Sequence, residues 1–167
     1  GSDNTPALTP AGDDPLRLED ESTAPAVPPP AGLLHRSALV QGLHQHFFDA
    51  APTPLSVAAA GTLYAWVMID RENPPQQLML QWFAGSWEHR VYWGANRIGW
   101  GNDGSASRLQ QSEALPPPGV WTRLAVPAAG LALGGRPITG MAFTLFGGRA
   151  CFGPAGGLAG DDASVWL

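Results

Sequence analysis

Residues 78–93 of the chain read LMLQWFAGSWEHRVYW, and this stretch decides the fold. Apolar and aromatic side chains fill 78–83, a short Ala-Gly-Ser turn follows, and residues 87–93 return with alternating character. Two such runs around a short turn are typical of an antiparallel β-hairpin. Because side chains alternate along a strand, the second run is predicted to split into two faces. One face carries Trp87, His89, Val91 and Trp93, and the other, exposed face carries Glu88, Arg90 and Tyr92.

Outside the hairpin, residues 62–69 read TLYAWVMI and predict a strand that is buried on both faces. The 21 Gly and 17 Pro residues interrupt most longer windows, which favours short strands joined by turns. Further strands are predicted at 16–19, within 39–48, and at 98–101, 121–126, 138–146, 150–152 and 164–167. Nine or ten short strands predict an all-β protein, an antiparallel two-sheet β-sandwich of jelly-roll-like form.

The length of 167 residues suits one domain with its own core. Residues 1–14 are predicted to be a flexible linker rich in Pro, Ala and Asp, and the opening Gly1-Ser2 looks like a cloning remnant. Residues 15–167 then form the sandwich domain. Within it, the repeated prolines of 25–30 predict a loop, because proline donates no ladder hydrogen bond.

Charge and composition exclude several partners. The formal net charge is -5, and all nine basic residues are arginines without a cluster, so nucleic acid is not an expected partner. No apolar run is long enough to span a membrane, and no signal peptide is recognisable. The single cysteine, Cys151, cannot form an internal disulfide and is predicted to be a small buried side chain.

Several segments resemble a module that recurs in large bacterial Rhs/YD-repeat proteins and in surface proteins of planctomycete type. They are GLHQHFF at 42–48, PP at 74–75, MLQ at 79–81, WEHRVYWG at 87–94 and GMAFTLFGGRA at 140–150. The resemblance implies a non-enzymatic, lectin-like or carbohydrate-binding-module-like β-sandwich, fused to a larger secreted or cell-surface protein. Relatives carry an aromatic-Asp pair after the Gly-Gly turn, whereas residues 151–154 here contain no carboxylate. The resemblance therefore does not extend to functions that need this acid.

Seven tryptophans suggest a sugar-binding platform, since aromatic rings stack on the apolar face of a pyranose while polar groups bind its hydroxyls. The candidate ligand is a glycan or cell-surface polymer. Trp residues on paired strands are more often core, so the polar face of the hairpin is the stronger candidate for direct contacts. A second hypothesis is a structural module that packs against the remainder of the parent polypeptide and has no ligand. The candidate platform residues are Trp82, Trp87, Trp93, Trp100, Arg90 and Asn96.

Two kinds of metal site are alternative interpretations of the histidines and acids. His44 and His46 lie two apart on one predicted strand face, and His35 or His89 could complete a zinc site across the sheet. Ordinary hydrogen-bonded histidines are the competing interpretation. Acids that could join a structural calcium site, or lie solvated in turns, are Glu19, Asp20, Glu21, Asp49, Asp161 and Asp162.

No catalytic residues are predicted, because the sequence contains no nucleophile elbow, no zinc-protease motif and no phosphate-binding loop. Glu88 and His89 are adjacent, but neighbouring strand residues point to opposite faces and cannot share one site without a bulge. The sequence therefore predicts a binding or structural module and not an enzyme.

Overall fold

The computed structural model describes residues 14–15, 32, 34–159 and 162–167 of the chain. This part of the chain forms eleven strands and one short 3-10 helix at Ala128–Leu131. The strands are β1 Asp14–Pro15, β2 His35–Arg36, β3 Leu43–Phe48, β4 Thr62–Ile69, β5 Gln77–Phe83, β6 Arg90–Gly94, β7 Leu109–Ser112, β8 Thr122–Pro127, β9 Gly140–Phe146, β10 Ala150–Ala159 and β11 Asp162–Val165.

The strands pair into two sheets. The six-stranded sheet has the order β1-β2-β10-β4-β8, with β11 also paired to β10, and the five-stranded sheet has the order β3-β9-β5-β6-β7. Among the described strands, every pairing is antiparallel except that of β6 with β7. The predicted all-β, two-sheet sandwich is confirmed, while its jelly-roll-like form stays a prediction. Within the described residues, no helix has the length and apolar character needed to cross a membrane.

The main core lies between the two sheets. Leu63 and Val67 of β4 belong to one cluster with Leu80 and Trp82 of β5 and Phe143 of β9. Alternation along each strand sends these side chains inward and their neighbours outward. All eight residues of β4 are buried or half-buried, as predicted. Its outward side is covered too, because Met68 packs with Leu34, Trp121 and the buried Cys151.

The predicted hairpin is confirmed as β5 and β6, whose register pairs Leu80 with Val91. The second strand, however, begins at Arg90 and not at Trp87. The strand predicted at 98–101 is wrong: these residues lie in the connection between β6 and β7. Gly94 and Gly101 have φ values of +89° and +80°, which interrupt extended backbone on both sides of this segment.

The last long strand differs most from its prediction. β10 spans Ala150–Ala159, whereas the pattern predicted only 150–152, because Gly and Pro are rare in strands. The pairing of β10 with β4 shifts between Phe152 and Ala155, and Pro154 lies at this irregularity, where no ladder hydrogen bond is required. β2 and β7 are short and were not predicted. The predicted linker at 1–14 is too long by one residue, because Asp14 belongs to β1. Residues 1–13, the strand predicted at 16–19 and the loop predicted at 25–30 lie outside the described residues.

Candidate functional site

The candidate site lies on the outer face of the five-stranded sheet, the side turned away from the main core. Alternation places Gln77, Met79, Gln81 and Phe83 of β5 on this face, while Leu78, Leu80 and Trp82 point into the core. Residues that are paired across strands have side chains on the same face of the sheet, and Gln81 is paired with Arg90 on β6 and with Ala142 on β9. Gln45 of β3 is paired with Thr144 of β9.

A chain of hydrogen-bonded side chains crosses this face, and we call Gln45, Thr144, Gln81, Arg90 and Glu88 the polar row. The Gln81 amide donates to Thr144 Oγ1 at 2.9 Å and to Gln45 Oε1 at 3.2 Å. Thr144 Oγ1 donates to the same Gln45 oxygen at 2.8 Å. Arg90 Nε donates to Gln81 Oε1 at 2.6 Å, and Arg90 Nη1 to Glu88 Oε2 at 3.0 Å. Each side chain fixes the orientation of the next.

Burial differs along the polar row. Thr144, Gln81 and Arg90 are fully buried, so their hydrogen bonds lie in a medium of low polarity, where breaking them is costly. The Glu88 side chain is 37% exposed, and its carboxylate is therefore the charged group of the row that solvent can reach. Gln45 is half-buried at the other end. The row thus forms a fixed interior with an accessible acid at its rim.

Aromatic side chains flank the polar row on both sides. On one side, Trp87 packs against Phe47 and Phe83, with ring centroids 5.5 and 5.2 Å apart. On the other side, half-buried Trp100 packs against the cluster of Met79, Tyr92 and Ile98. The Arg90 guanidinium carbon lies 5.9 Å from the centroid of the Trp100 ring, within cation–π range. Arg90 therefore contacts both Glu88 and Trp100.

Residues 95–108, which we call the covering loop, hold Trp100 over this face. Gln77 Oε1 accepts hydrogen bonds from the backbone N–H groups of Arg97 and Ile98 at 2.6 and 2.9 Å. Arg90 Nη1 also donates to the Ser107 carbonyl at 3.2 Å. The loop is therefore attached to the sheet from β5 and from β6.

The tip of the covering loop is attached through Tyr92. The Tyr92 hydroxyl donates to Asp103 Oδ1 at 2.8 Å, and the exposed Asn96 amide donates to Asp103 Oδ2 at 3.2 Å. Burial, together with the Asp103 carboxylate that favours the protonated phenol, raises the pKa of Tyr92 to about 12. The phenol therefore remains a hydrogen-bond donor at neutral pH.

The structure corrects the predicted distribution of site residues. Arg90 and Tyr92 do lie on the face opposite to Val91 and Trp93, but both are buried and not exposed, because the covering loop lies over them. Trp87 was predicted on the face of Trp93, yet its ring packs with residues of the outer face. Strand geometry begins only at Arg90, so the period of two does not extend back to Trp87.

The remaining predicted ligand residues divide into two groups. Trp82 and Trp93 are buried in the main core, which removes them from any ligand platform. Asn96 is exposed and Trp100 is half-buried, and both belong to the covering loop beside Arg90 and Tyr92. Six of the eight predicted residues thus lie on one side of one sheet: Trp87, Glu88, Arg90, Tyr92, Asn96 and Trp100.

Sequence reasoning missed Gln45, Gln81 and Thr144. Each is a polar side chain at an outward position of a strand that is otherwise rich in apolar residues. A buried amide or hydroxyl must find a partner, so such isolated polar residues on neighbouring strands are the signal that could have revealed the polar row.

The candidate metal ligands are only partly brought together. His46 lies against His35, with 2.5 Å between their Nε2 atoms, while His44 Nε2 is 3.4 Å from the Gly147 carbonyl oxygen. His89 has a different partner, because its Nδ1 lies 2.6 Å from the Leu131 carbonyl oxygen. No group of three or more His, Cys, Asp or Glu side chains suited to a metal ion occurs among the described residues. Asp49 is exposed, and Asp20 and Asp161 lie outside the described part.

No protein-family profile matches the chain, and no curated protein matches it at a significant level. The geometry of the outer face is therefore the basis for the function proposed below.

Proposed function

We propose that this domain is a non-catalytic accessory module of a larger secreted or cell-surface protein and that its outer face binds carbohydrate. The observation that carries the proposal is the arrangement around Arg90. Its buried guanidinium holds a partly exposed carboxylate, Glu88, on one side and a half-buried indole, Trp100, on the other. An aromatic ring beside hydrogen-bonding groups is the combination that sugars require.

Each accessible group has a defined role in this proposal. The exposed part of the Trp100 ring stacks on the C–H face of a pyranose, and the Glu88 carboxylate accepts hydrogen bonds from its hydroxyl groups. Asn96 and Asp103 are exposed on the same loop and extend the polar rim. Because Arg90 is fully buried and neutralised by Glu88, it acts as a positioning residue and does not touch the sugar.

Rigidity supports the proposal. The polar row and the hydrogen bonds to Gln77 and Ser107 fix Trp100 and Glu88 before a ligand arrives. A preorganised site loses less conformational freedom on binding, which favours affinity from a small contact area.

The test is a broad glycan array followed by affinity measurements on any hit. Trp100→Ala should weaken binding about tenfold, which corresponds to about 1.4 kcal/mol. Glu88→Gln should weaken it less, because the amide keeps one acceptor oxygen and can still donate. Trp66→Ala is the matched control, since Trp66 is a half-buried tryptophan on the outward side of the other sheet. A folded domain that binds no glycan, or equal losses in both tryptophan variants, contradicts the proposal.

A second function is favoured by another observation. Leu39 and Leu43 are 53% and 44% exposed, beside a shallow groove of about 470 Å³ between the β2–β3, β4–β5 and β9–β10 connections. Exposed leucines at a groove suit packing against the rest of a parent polypeptide. In that case the glycan array stays negative, and the wild-type domain binds a hydrophobic dye that Leu39→Gln with Leu43→Gln no longer binds.

A further inference from the structure

His35 and His46 form a contact between the two sheets. His35 lies on β2 of the six-stranded sheet, and His46 lies on β3, at the edge of the five-stranded sheet. Their Nε2 atoms are 2.5 Å apart, closer than a normal N–H···N hydrogen bond of about 2.7–3.2 Å. One Nε2 therefore donates its N–H to the lone pair of the other, and both ring nitrogens point into one small volume.

Aromatic neighbours hold this geometry. The His46 ring stacks on Phe143 at 5.0 Å between centroids, and the His35 ring stacks on Phe152 at 5.3 Å. The two phenylalanines themselves lie 4.9 Å apart in the main core. Each imidazole thus stacks on a phenylalanine ring of the core, and this packing limits how far either histidine can rotate away from the other.

We propose that His35 and His46 bind a divalent transition-metal ion through their Nε2 atoms, with Zn²⁺ as the reference ion. Imidazole nitrogen is a preferred ligand for Zn²⁺, Ni²⁺ and Cu²⁺, whereas Ca²⁺ and Mg²⁺ require oxygen ligands. Zinc–nitrogen bonds of about 2.0–2.1 Å in tetrahedral geometry separate two ligand nitrogens by roughly 3.3 Å. The two rings must therefore move apart by less than about 1 Å, which small side-chain rotations provide. Water fills the remaining coordination positions.

The position of the pair allows an ion to enter. His46 is buried, but His35 is half-buried, so one ligand remains in contact with solvent. His44 is excluded from the site as proposed, because its Nε2 is directed to the Gly147 carbonyl. The ion would link β2 to β3 and so fasten the two sheets together, which predicts that it stabilises the fold.

The experiment is a calorimetric titration of the whole chain with Zn²⁺, with Mg²⁺ as the comparison ion. His35→Gln and His46→Gln should each weaken Zn²⁺ binding at least about tenfold, since even ligand-supporting residues are worth that much. His44→Gln is the matched control on the same strand and should retain wild-type affinity. Cys151→Ala should also retain it, which removes the thiol as the source of binding.

A second measurement covers variants that fail to fold. In the wild-type chain, Zn²⁺ should shift the imidazole nitrogen resonances of His35 and His46 and raise the melting temperature. The proposal is overturned if the wild type binds no Zn²⁺, if His35→Gln and His46→Gln bind it as tightly as the wild type, or if other histidines shift instead. The pair would then be a hydrogen bond only.

Discussion

Arg90 and Gln81 face each other on paired strands, and their side chains meet at 2.6 Å although both are fully buried. Arginine is seldom buried without a complete set of partners. Here the guanidinium also reaches Glu88 and the Ser107 carbonyl. The contact therefore joins the interior of the sheet to its rim and to the covering loop.

Replacing Arg90 should destabilise the fold. Arg90→Met leaves Gln81 Oε1 without its charged donor and removes the ion pair between Arg90 and Glu88, so we expect a loss of about 3 kcal/mol in the free energy of unfolding. Urea denaturation measures it. Arg123→Met is the control, because Arg123 is exposed on the other sheet, and it should change stability little. Equal effects in the two variants would show that the polar row does not stabilise the sheet.

The two tyrosines should resist ionisation. Burial raises the pKa of Tyr64 above its ordinary value of 10.0, and burial with Asp103 raises the pKa of Tyr92 to about 12. An alkaline titration followed by phenolate absorbance should therefore place both ionisations above that of a free tyrosine while the domain is folded, with Tyr92 ionising near pH 12. Asp103→Asn should lower the pKa of Tyr92 and leave that of Tyr64 unchanged. A normal titration in the wild type contradicts the burial of these rings.

Gly148 should tolerate no side chain. Its φ is +64°, and a Cβ there would lie 2.4 Å from the Asn73 carbonyl oxygen. Gly148→Ala combines left-handed strain with a backbone clash and should cost roughly 3 kcal/mol or more. Gly85→Ala is the matched control: φ is +82°, but no atom lies within 4 Å, so only the strain of about 1 kcal/mol remains. Thermal unfolding of both variants compares them, and similar costs would argue against close packing at Gly148.

Asp70 should make the free energy of unfolding of the domain depend on pH in the acid range. Burial opposes its ionisation, but hydrogen bonds from Arg149 and from the backbone of Asn73 and Glu72 hold its pKa below the usual range. As the pH falls, the Asp70 carboxylate is protonated in the unfolded chain before it is protonated in the folded domain. The contribution of ionised Asp70 to the free energy of unfolding is therefore complete above about pH 4 and declines below it.

Asp70→Asn provides the comparison for this pH dependence. It should cost about 2 kcal/mol at neutral pH, where the wild-type carboxylate is ionised and paired with Arg149. Below about pH 4 the difference between the two proteins should narrow. Denaturant unfolding at both pH values measures it, and a constant difference would mean that the carboxylate charge is not responsible.

Much of the fold could be predicted because its strands have strong local patterns. β4 was predicted with the bounds that the structure shows, and the β5–β6 hairpin followed from two aromatic-rich runs around Ala84-Gly85-Ser86. β10 was predicted too short, because its stability comes from pairing with three other strands and not from residue propensity. Such long-range pairing leaves no signal in a short window of sequence.

The site was predicted less well than the fold. The alternation of side chains along a strand correctly placed Arg90 and Tyr92 on one face and Val91 and Trp93 on the other. It could not show that residues 95–108 fold back and bury them, since loop conformation depends on distant partners such as Gln77 and Asp103. The pairing of His35 with His46 was foreseen only as one alternative, because it depends on how the two sheets come together.

The irregularity of β10 has a topological consequence. β2 pairs with Cys151 and Phe152 at the start of β10, β11 pairs with residues 156–159 at its end, and both run antiparallel to it. The backbone arriving at β2 and the backbone leaving β11 therefore converge near Pro154, where a Cβ on Gly32 would lie 2.7 Å from the proline ring. One long, irregular strand thereby carries two successive short partners along the same edge, β2 at its start and β11 at its end, while β4 pairs along its other edge.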